Sequence, residues 1–173
     1  MSVIFEEPSY QTGLHGIQRS QPHQVFQAGQ GFAADDIGLF YALPSNYPGR
    51  NVPDISFNAD PYTGYVVYYT SEPSGVFSAQ NGWGGTSFVG PQLNGVSALL
   101  GEYLQGGRLG LLNNTLYALA LKGQAYGRQG APLHAIAYGD NWFYDGSNGY
   151  NPAAGLGTLD VWNFAEVLRR LQY

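Results

Sequence analysis

Apolar residues recur at a near-helical spacing over residues 87–104, where Val89, Leu93, Val96, Leu99, Leu100 and Tyr103 share one face, so a helix is predicted there. A shorter helix is predicted over 114–121, with Gly123 placed to stop it. A last helix buries Val161, Phe164, Ala165, Leu168 and Leu171 and takes Thr158 as its cap. Arg169 and Arg170 fall in its final turn, where they complement the helix dipole. Strand signals precede the helices. Tyr65-Val66-Val67-Tyr68-Tyr69-Thr70 is β-branched and aromatic, bounded by Gly64 and by Pro73-Ser74-Gly75, and Val76-Phe77-Ser78-Ala79 supplies a hairpin partner. Residues 7–50 carry Gln, Gly, Pro and aromatics without a period, which predicts a long irregular segment with one short element over 32–41. With no internal repeat or linker, the chain reads as one α/β or α+β domain, or part of one.

Composition narrows this picture. Hydrophobic residues make up 44% and aromatics 15% of 173 residues, enough to build a core and to argue against disorder. The charge content is low, 11%, with a net charge of -5 and Lys122 as the single lysine, so no basic stripe exists for nucleic acid. Few basic groups also limit the positive charge that accumulates in acid, a weak signal of acid tolerance. Without cysteine, neither disulfides nor thiolate metal sites form. Apolar runs such as 116–121 are too short to span a membrane, and residues 1–7 do not have the pattern of a secretory signal.

The segment with chemistry is Gly82-Trp83-Gly84-Gly85-Thr86-Ser87-Phe88-Val89-Gly90-Pro91, followed by Asn94-Gly95. Glycines let the backbone turn tightly before a serine that opens an apolar helix. Such a serine exposes its hydroxyl beside free backbone N–H groups that can stabilise an oxyanion. Pro91 is expected in the first turn, where its missing N–H costs nothing. Taken alone, a serine here is more often only the helix cap.

Gly84-Gly85-Thr86-Ser87 with Pro91 resembles the nucleophile signature of subtilisin-like peptidases, and the Gly-Gly pair resembles their sedolisin branch, the serine-carboxyl peptidases. Four further segments resemble that branch in order. They are Pro8-Ser9-Tyr10-Gln11; Arg50 to Ser56 with Ala59-Asp60-Pro61 and Thr63-Gly64-Tyr65; Gly110-Leu111-Leu112-Asn113 with Leu116-Tyr117, where Asn114 replaces a proline; and Gly149-Tyr150-Asn151-Pro152 with Gly155-Leu156-Gly157. The resemblance covers the chain except roughly residues 13–48.

It implies an α/β, subtilisin-like three-layer fold with a mainly parallel sheet, here lacking the amino-terminal strands, residues 1–173 being the carboxyl-terminal part of the peptidase domain. It implies an acid-acting endopeptidase on polypeptide substrates, extracellular, with Ser87 as nucleophile and Gly84, Gly85 and Thr86 forming the nucleophile loop. Its glutamate base, the aspartate orienting it and the oxyanion aspartate match no residue here and would lie upstream, so the chain is expected to be inactive alone and to need a missing amino-terminal half or a second chain. No local residue replaces them. His134 precedes the strand-like Ala135-Ile136-Ala137, His15 and His23 lie in the irregular loop, and Asp54 and Asp60 are expected to cap turns.

The resemblance also implies a calcium ion near the carboxyl end. Its two aspartate positions are Ala135 and Asn151 here, leaving the carbonyls of Ile136 and Gly149 and the Asn151 side-chain oxygen. Asp140, Asn141, Asp145 and Asn148 enrich the loop in oxygen but read first as turn residues. Calcium affinity falls with ligand charge, so binding is expected to be weak or absent. Asn113-Asn114-Thr115 fits the glycosylation triplet, a frequent chance pattern, and Gly29-Gln30-Gly31 lacks the strand a nucleotide loop needs. The competing reading is a non-catalytic binding or structural protein that retains the fold remnant.

Overall fold

The computed structural model describes residues 1–2, 5–20, 25–27, 40–42, 46–106 and 108–171. Two three-residue strands, β1 (Val25–Gln27) and β2 (Phe40–Ala42), pair antiparallel. Most of the element predicted over 32–41 lies outside the described residues. β3 (Tyr65–Ser71) and β4 (Val76–Trp83) form the expected hairpin, with β4 running further than 76–79 and a register shift between Tyr65 and Val67. The helices are α1 (Thr86–Tyr103), α2 (Leu112–Leu121) and α3 (Val161–Leu171). Between α2 and α3, β5 (Leu133–His134) pairs antiparallel with β6 (Thr158–Leu159).

Helices and strands are both present, but every described strand pair is antiparallel and every sheet two-stranded. The mainly parallel sheet expected above is not formed among these residues. A short turn joins β3 to β4 and dictates antiparallel pairing, and among the described residues β5 pairs only with β6. The stretch Ala135-Ile136-Ala137 is not a strand, because pairing ends at His134. α2 starts at Leu112 rather than Asn114, and Gly123 follows it with φ 64, the left-handed conformation of a helix stop. Asp160, not Thr158, caps α3, its Oδ1 accepting the Asn163 N–H at 2.9 Å. Thr158 is already paired with His134 in β6. Leu171, expected inside, is 63% exposed.

The core sits among the three helices and the β5–β6 pair. Leu100 and Leu104, Leu116, Tyr117 and Leu119, and Phe164, Ala165 and Leu168 pack with Leu133, Tyr150, Leu156 and Leu159. Each large apolar side chain buried there contributes about 1.5–3 kcal/mol. Within α1, Leu100 is buried in this core and Leu93 and Val96 pack against it partly buried, so the first turn of the helix is carried at the edge.

A polar seam ties the first twenty residues to α2. Gln11 Nε2 donates to the Asn51 carbonyl (2.9 Å) and to the Tyr117 hydroxyl (2.8 Å), while Gln11 Oε1 accepts from the Asn51 N–H (2.9 Å). Tyr117 in turn donates to Asp54 Oδ1 at 2.9 Å, and Arg50 pairs with Asp54 Oδ2 at 2.6 Å. Asp54 therefore anchors side chains instead of capping a turn. Its carbonyl accepts from Leu156 N–H (2.8 Å), and Ser56 N–H donates to the Gly157 carbonyl (2.9 Å), which straps residues 54–56 onto the 154–157 turn.

Candidate active site

The strapped segment continues into a tight turn that backs the glycine loop. Asn58 Oδ1 accepts from the Asp60 N–H (3.0 Å). Asp60 accepts from the Tyr62 N–H (2.9 Å) and the Thr63 hydroxyl (3.0 Å), so it caps the 3-10 turn Pro61–Thr63 as expected. The Tyr62 N–H bond, and after it the Thr63 hydroxyl, hold the Asp60 carboxyl below its ordinary range.

Gly84 and Gly85 lie directly on this turn. A Cβ on Gly84 would meet the Pro61 nitrogen at 2.7 Å and the Ala59 carbonyl oxygen at 2.8 Å, both backbone atoms that cannot swing aside. The Gly85 N–H donates to that same Ala59 carbonyl at 2.6 Å. Gly85 then takes φ 90 and ψ 161, a region essentially reserved for glycine, and serves as the N-cap of α1 without a side-chain cap bond. The two glycines have separate duties: one permits close approach, the other the bend.

Thr86 and Ser87 are the first two residues of α1, and both are exposed. Ser87 is not the cap. Its hydroxyl makes no hydrogen bond to another described residue, and the Thr86 and Ser87 N–H groups lie in the first turn, where no intrahelical partner exists. Pro91 lies inside the helix, four residues beyond Ser87, not in the first turn. It removes the N–H that would have bonded to the Ser87 carbonyl. The next residue, Phe88, fixes the helix start sideways by stacking on Tyr65 with centroids 5.4 Å apart and by meeting Trp83 at 6.1 Å.

Sequence reasoning missed two supports. The Tyr65 hydroxyl donates its one proton to the Asn58 carbonyl (2.9 Å) and lies 3.2 Å from the Gln92 side-chain oxygen, and so joins turn, strand and helix. Gln92 Nε2 is buried with no partner among the described residues. A polar residue five positions after the serine, flanked by Pro91 and Leu93, was the available signal. Other candidates lie apart from the serine. His134 is exposed and faces Asp160, with 3.7 Å between Nε2 and Oδ2, and His23 lies outside the described residues. No carboxylate or imidazole hydrogen-bonds Ser87 among the described residues. A cavity of about 570 Å³, lined by Leu99, Leu100, Tyr103, Val161, Trp162 and Ala165, opens at the far end of α1.

No protein-family model matches the chain. A comparison with known proteins does find a relative: kumamolisin of Bacillus sp. (strain MN-32) is 34% identical over 123 residues. The relationship is sedolisin-like. The match takes in 68% of this chain and 19% of kumamolisin, so the chain spans about a fifth of that relative's length. Among the described residues no helix is long and apolar enough to cross a membrane.

Proposed function

We propose that the chain is the nucleophile-bearing part of an acid-acting sedolisin-like serine-carboxyl endopeptidase, completed by carboxylates from outside it. The observation that carries this reading is the placement of Ser87, exposed in the first turn of α1 immediately after the Gly84-Gly85 bend. The Ser87 Oγ would attack the substrate carbonyl carbon while its proton passes to a glutamate oriented by an aspartate. A carboxylate remains a base in acid, where an imidazole is protonated. The carbonyl oxygen, now negative, would accept hydrogen bonds from backbone N–H at the helix start and from a protonated aspartate. Collapse releases the amine with the transferred proton, and water then hydrolyses the acyl-serine. The parallel sheet absent from the described residues would come with the part that supplies the acids, and an extracellular setting follows from the resemblance to sedolisins.

The test is covalent labelling of the native assembly with a peptidyl aldehyde or fluorophosphonate at acid pH, followed by peptide mapping. An adduct on Ser87 is expected, and Ser87→Ala should abolish both labelling and cleavage, by at least about a thousandfold. That variant should change stability by no more than about 0.5 kcal/mol, because the side chain is exposed and unbonded. Cleavage that survives Ser87→Ala would overturn the proposal.

A second reading, a non-catalytic binding or structural protein, is favoured by one observation: the serine has no base among the described residues. It predicts that no assembly containing this chain cleaves a denatured protein at any pH.

A further inference from the structure

The loop joining β5 to β6 closes around one side chain. Asn151 is 2% exposed. Its Nδ2 donates to the carbonyl oxygens of Ile136 (3.2 Å) and Ser147 (3.1 Å), and its Oδ1 accepts from the Ala154 N–H (2.9 Å). Its backbone is held as well, its N–H donating to the Gly155 carbonyl (3.0 Å) and its carbonyl accepting from the Gly155 N–H (2.7 Å). The orientation of the amide follows from chemistry. Two carbonyls can only accept and an N–H can only donate, so the NH₂ must face the former and the oxygen the latter. Every polar atom of the side chain is satisfied.

A carboxylate at the same place would behave differently. One oxygen would take the Ala154 N–H, and the other would press against the Ile136 and Ser147 carbonyl oxygens with no proton between them. Converging oxygens of that kind are what a hard cation binds. Asparagine against aspartate at this one position thus decides whether the centre of the loop holds two N–H donors or needs a metal ion.

The remaining residues do not fit calcium. Ala135 offers no side-chain oxygen, and the Ile136 carbonyl already accepts from Asn151. Asp140 Oδ1 accepts from the Trp142 N–H (2.9 Å), and Asn141 Oδ1 from the Phe143 and Tyr144 N–H groups, so these two turn the exposed tip of the loop. Among the described residues no group of three or more His, Cys, Asp or Glu could hold a metal.

We infer that the Asn151 amide stands in the place of a cation, an internal clasp that ties Ile136 and Ser147 to the 151–155 turn and folds this loop without calcium. The clasp has a downstream effect. The same turn receives the strap from residues 54–56, which leads into the turn that backs Gly84 and Gly85. A metal-free closure therefore supports the serine loop without dependence on calcium supply or on the protonation of a ligand carboxylate.

The experiment is thermal unfolding of the whole chain in EDTA and in millimolar calcium chloride, with calorimetric titration by calcium chloride. The wild-type chain should melt at the same temperature in both and release no binding heat. Asn151→Asp should melt about 5 °C or more lower in EDTA, because the Ile136 and Ser147 carbonyls lose their donors and face a carboxylate oxygen instead, and should recover with calcium. Adding Ala135→Asp should strengthen that calcium response by about tenfold. Should Asn151→Asp not fold in EDTA, Asn151→Ala serves in its place and should melt lower with no response to calcium. A wild-type melting temperature that rises with calcium, micromolar binding heat, or an Asn151→Asp or Asn151→Ala chain as stable as wild type in EDTA would overturn the inference.

Discussion

Tyr117 holds the polar seam together with a single oxygen. It accepts from Gln11 Nε2 and donates to Asp54 Oδ1 while its ring lies fully buried between Tyr10 and Tyr150. Burial, and then the Asp54 charge, push its phenol well above the usual range, so it remains a donor at any working pH. Tyr117→Phe keeps the ring and deletes only the hydroxyl, leaving a buried amide proton and a carboxylate oxygen each short of a partner. The expected loss is about 1–3 kcal/mol, read as a lower urea midpoint at unchanged slope. An unchanged midpoint would mean that water enters and replaces the hydroxyl. The seam was not legible in the sequence, because its members lie 40 and 106 residues apart and nothing local marks them as partners. The exposed serine was legible because its cause is local: two glycines, then an apolar period.

The same division holds for the elements. The helices were visible in their periodicity, since 3.6-residue spacing is imposed by the face each one buries. Their ends were not. Thr158 has the chemistry of a cap, but pairing with His134 draws it into β6 and leaves Asp160 to begin α3. Pro91 was placed a turn too early for a related reason, as Gly85 and not Ser87 is the cap, which moves Pro91 past the first turn. α3 also carries a pH signature. Arg169 and then the Tyr103 hydroxyl hydrogen-bond Glu166 and hold its carboxyl at about 2, below its ordinary 4.5. A carboxyl depressed on folding adds stability above its unfolded pKa and loses it as pH falls through the folded value. Glu166→Gln should therefore melt below wild type at neutral pH, with the gap narrowing from 4.5 downward and closing near about 2. Melting curves across that range check it, and a gap that stays constant with pH would assign the effect to packing instead of charge. For a chain read as part of an acid-acting enzyme, the link between α1 and α3 outlasts ordinary carboxylates as the solution acidifies.

At the scale of the whole molecule, the apolar surface is distributed unevenly. The core gathers at the carboxyl end of α1 and around α2 and α3, while other large apolar side chains stay in water. Leu99 and Trp162 are 61% and 63% exposed beside the cavity between α1 and α3, with Trp162 edge-on to Tyr103 at 5.7 Å. On the hairpin, Tyr68 and Phe77 stack with centroids 6.0 Å apart at 66% and 69% exposure. Isolated apolar side chains on a surface are ordinary, but clustered ones on two elements are what a partner normally covers. The hairpin adds strand edges that are unpaired among the described residues, where β3 and β4 pair only with each other. The isolated chain should consequently bind a dye such as ANS in its native state and self-associate as concentration rises, by light scattering after gel filtration. Both signals should fall when the acid-supplying part of a sedolisin-like domain is added, because the same surface would then be buried. A monodisperse monomer with no dye binding would instead show a surface already closed, and would favour an independent, non-catalytic domain over the completed peptidase.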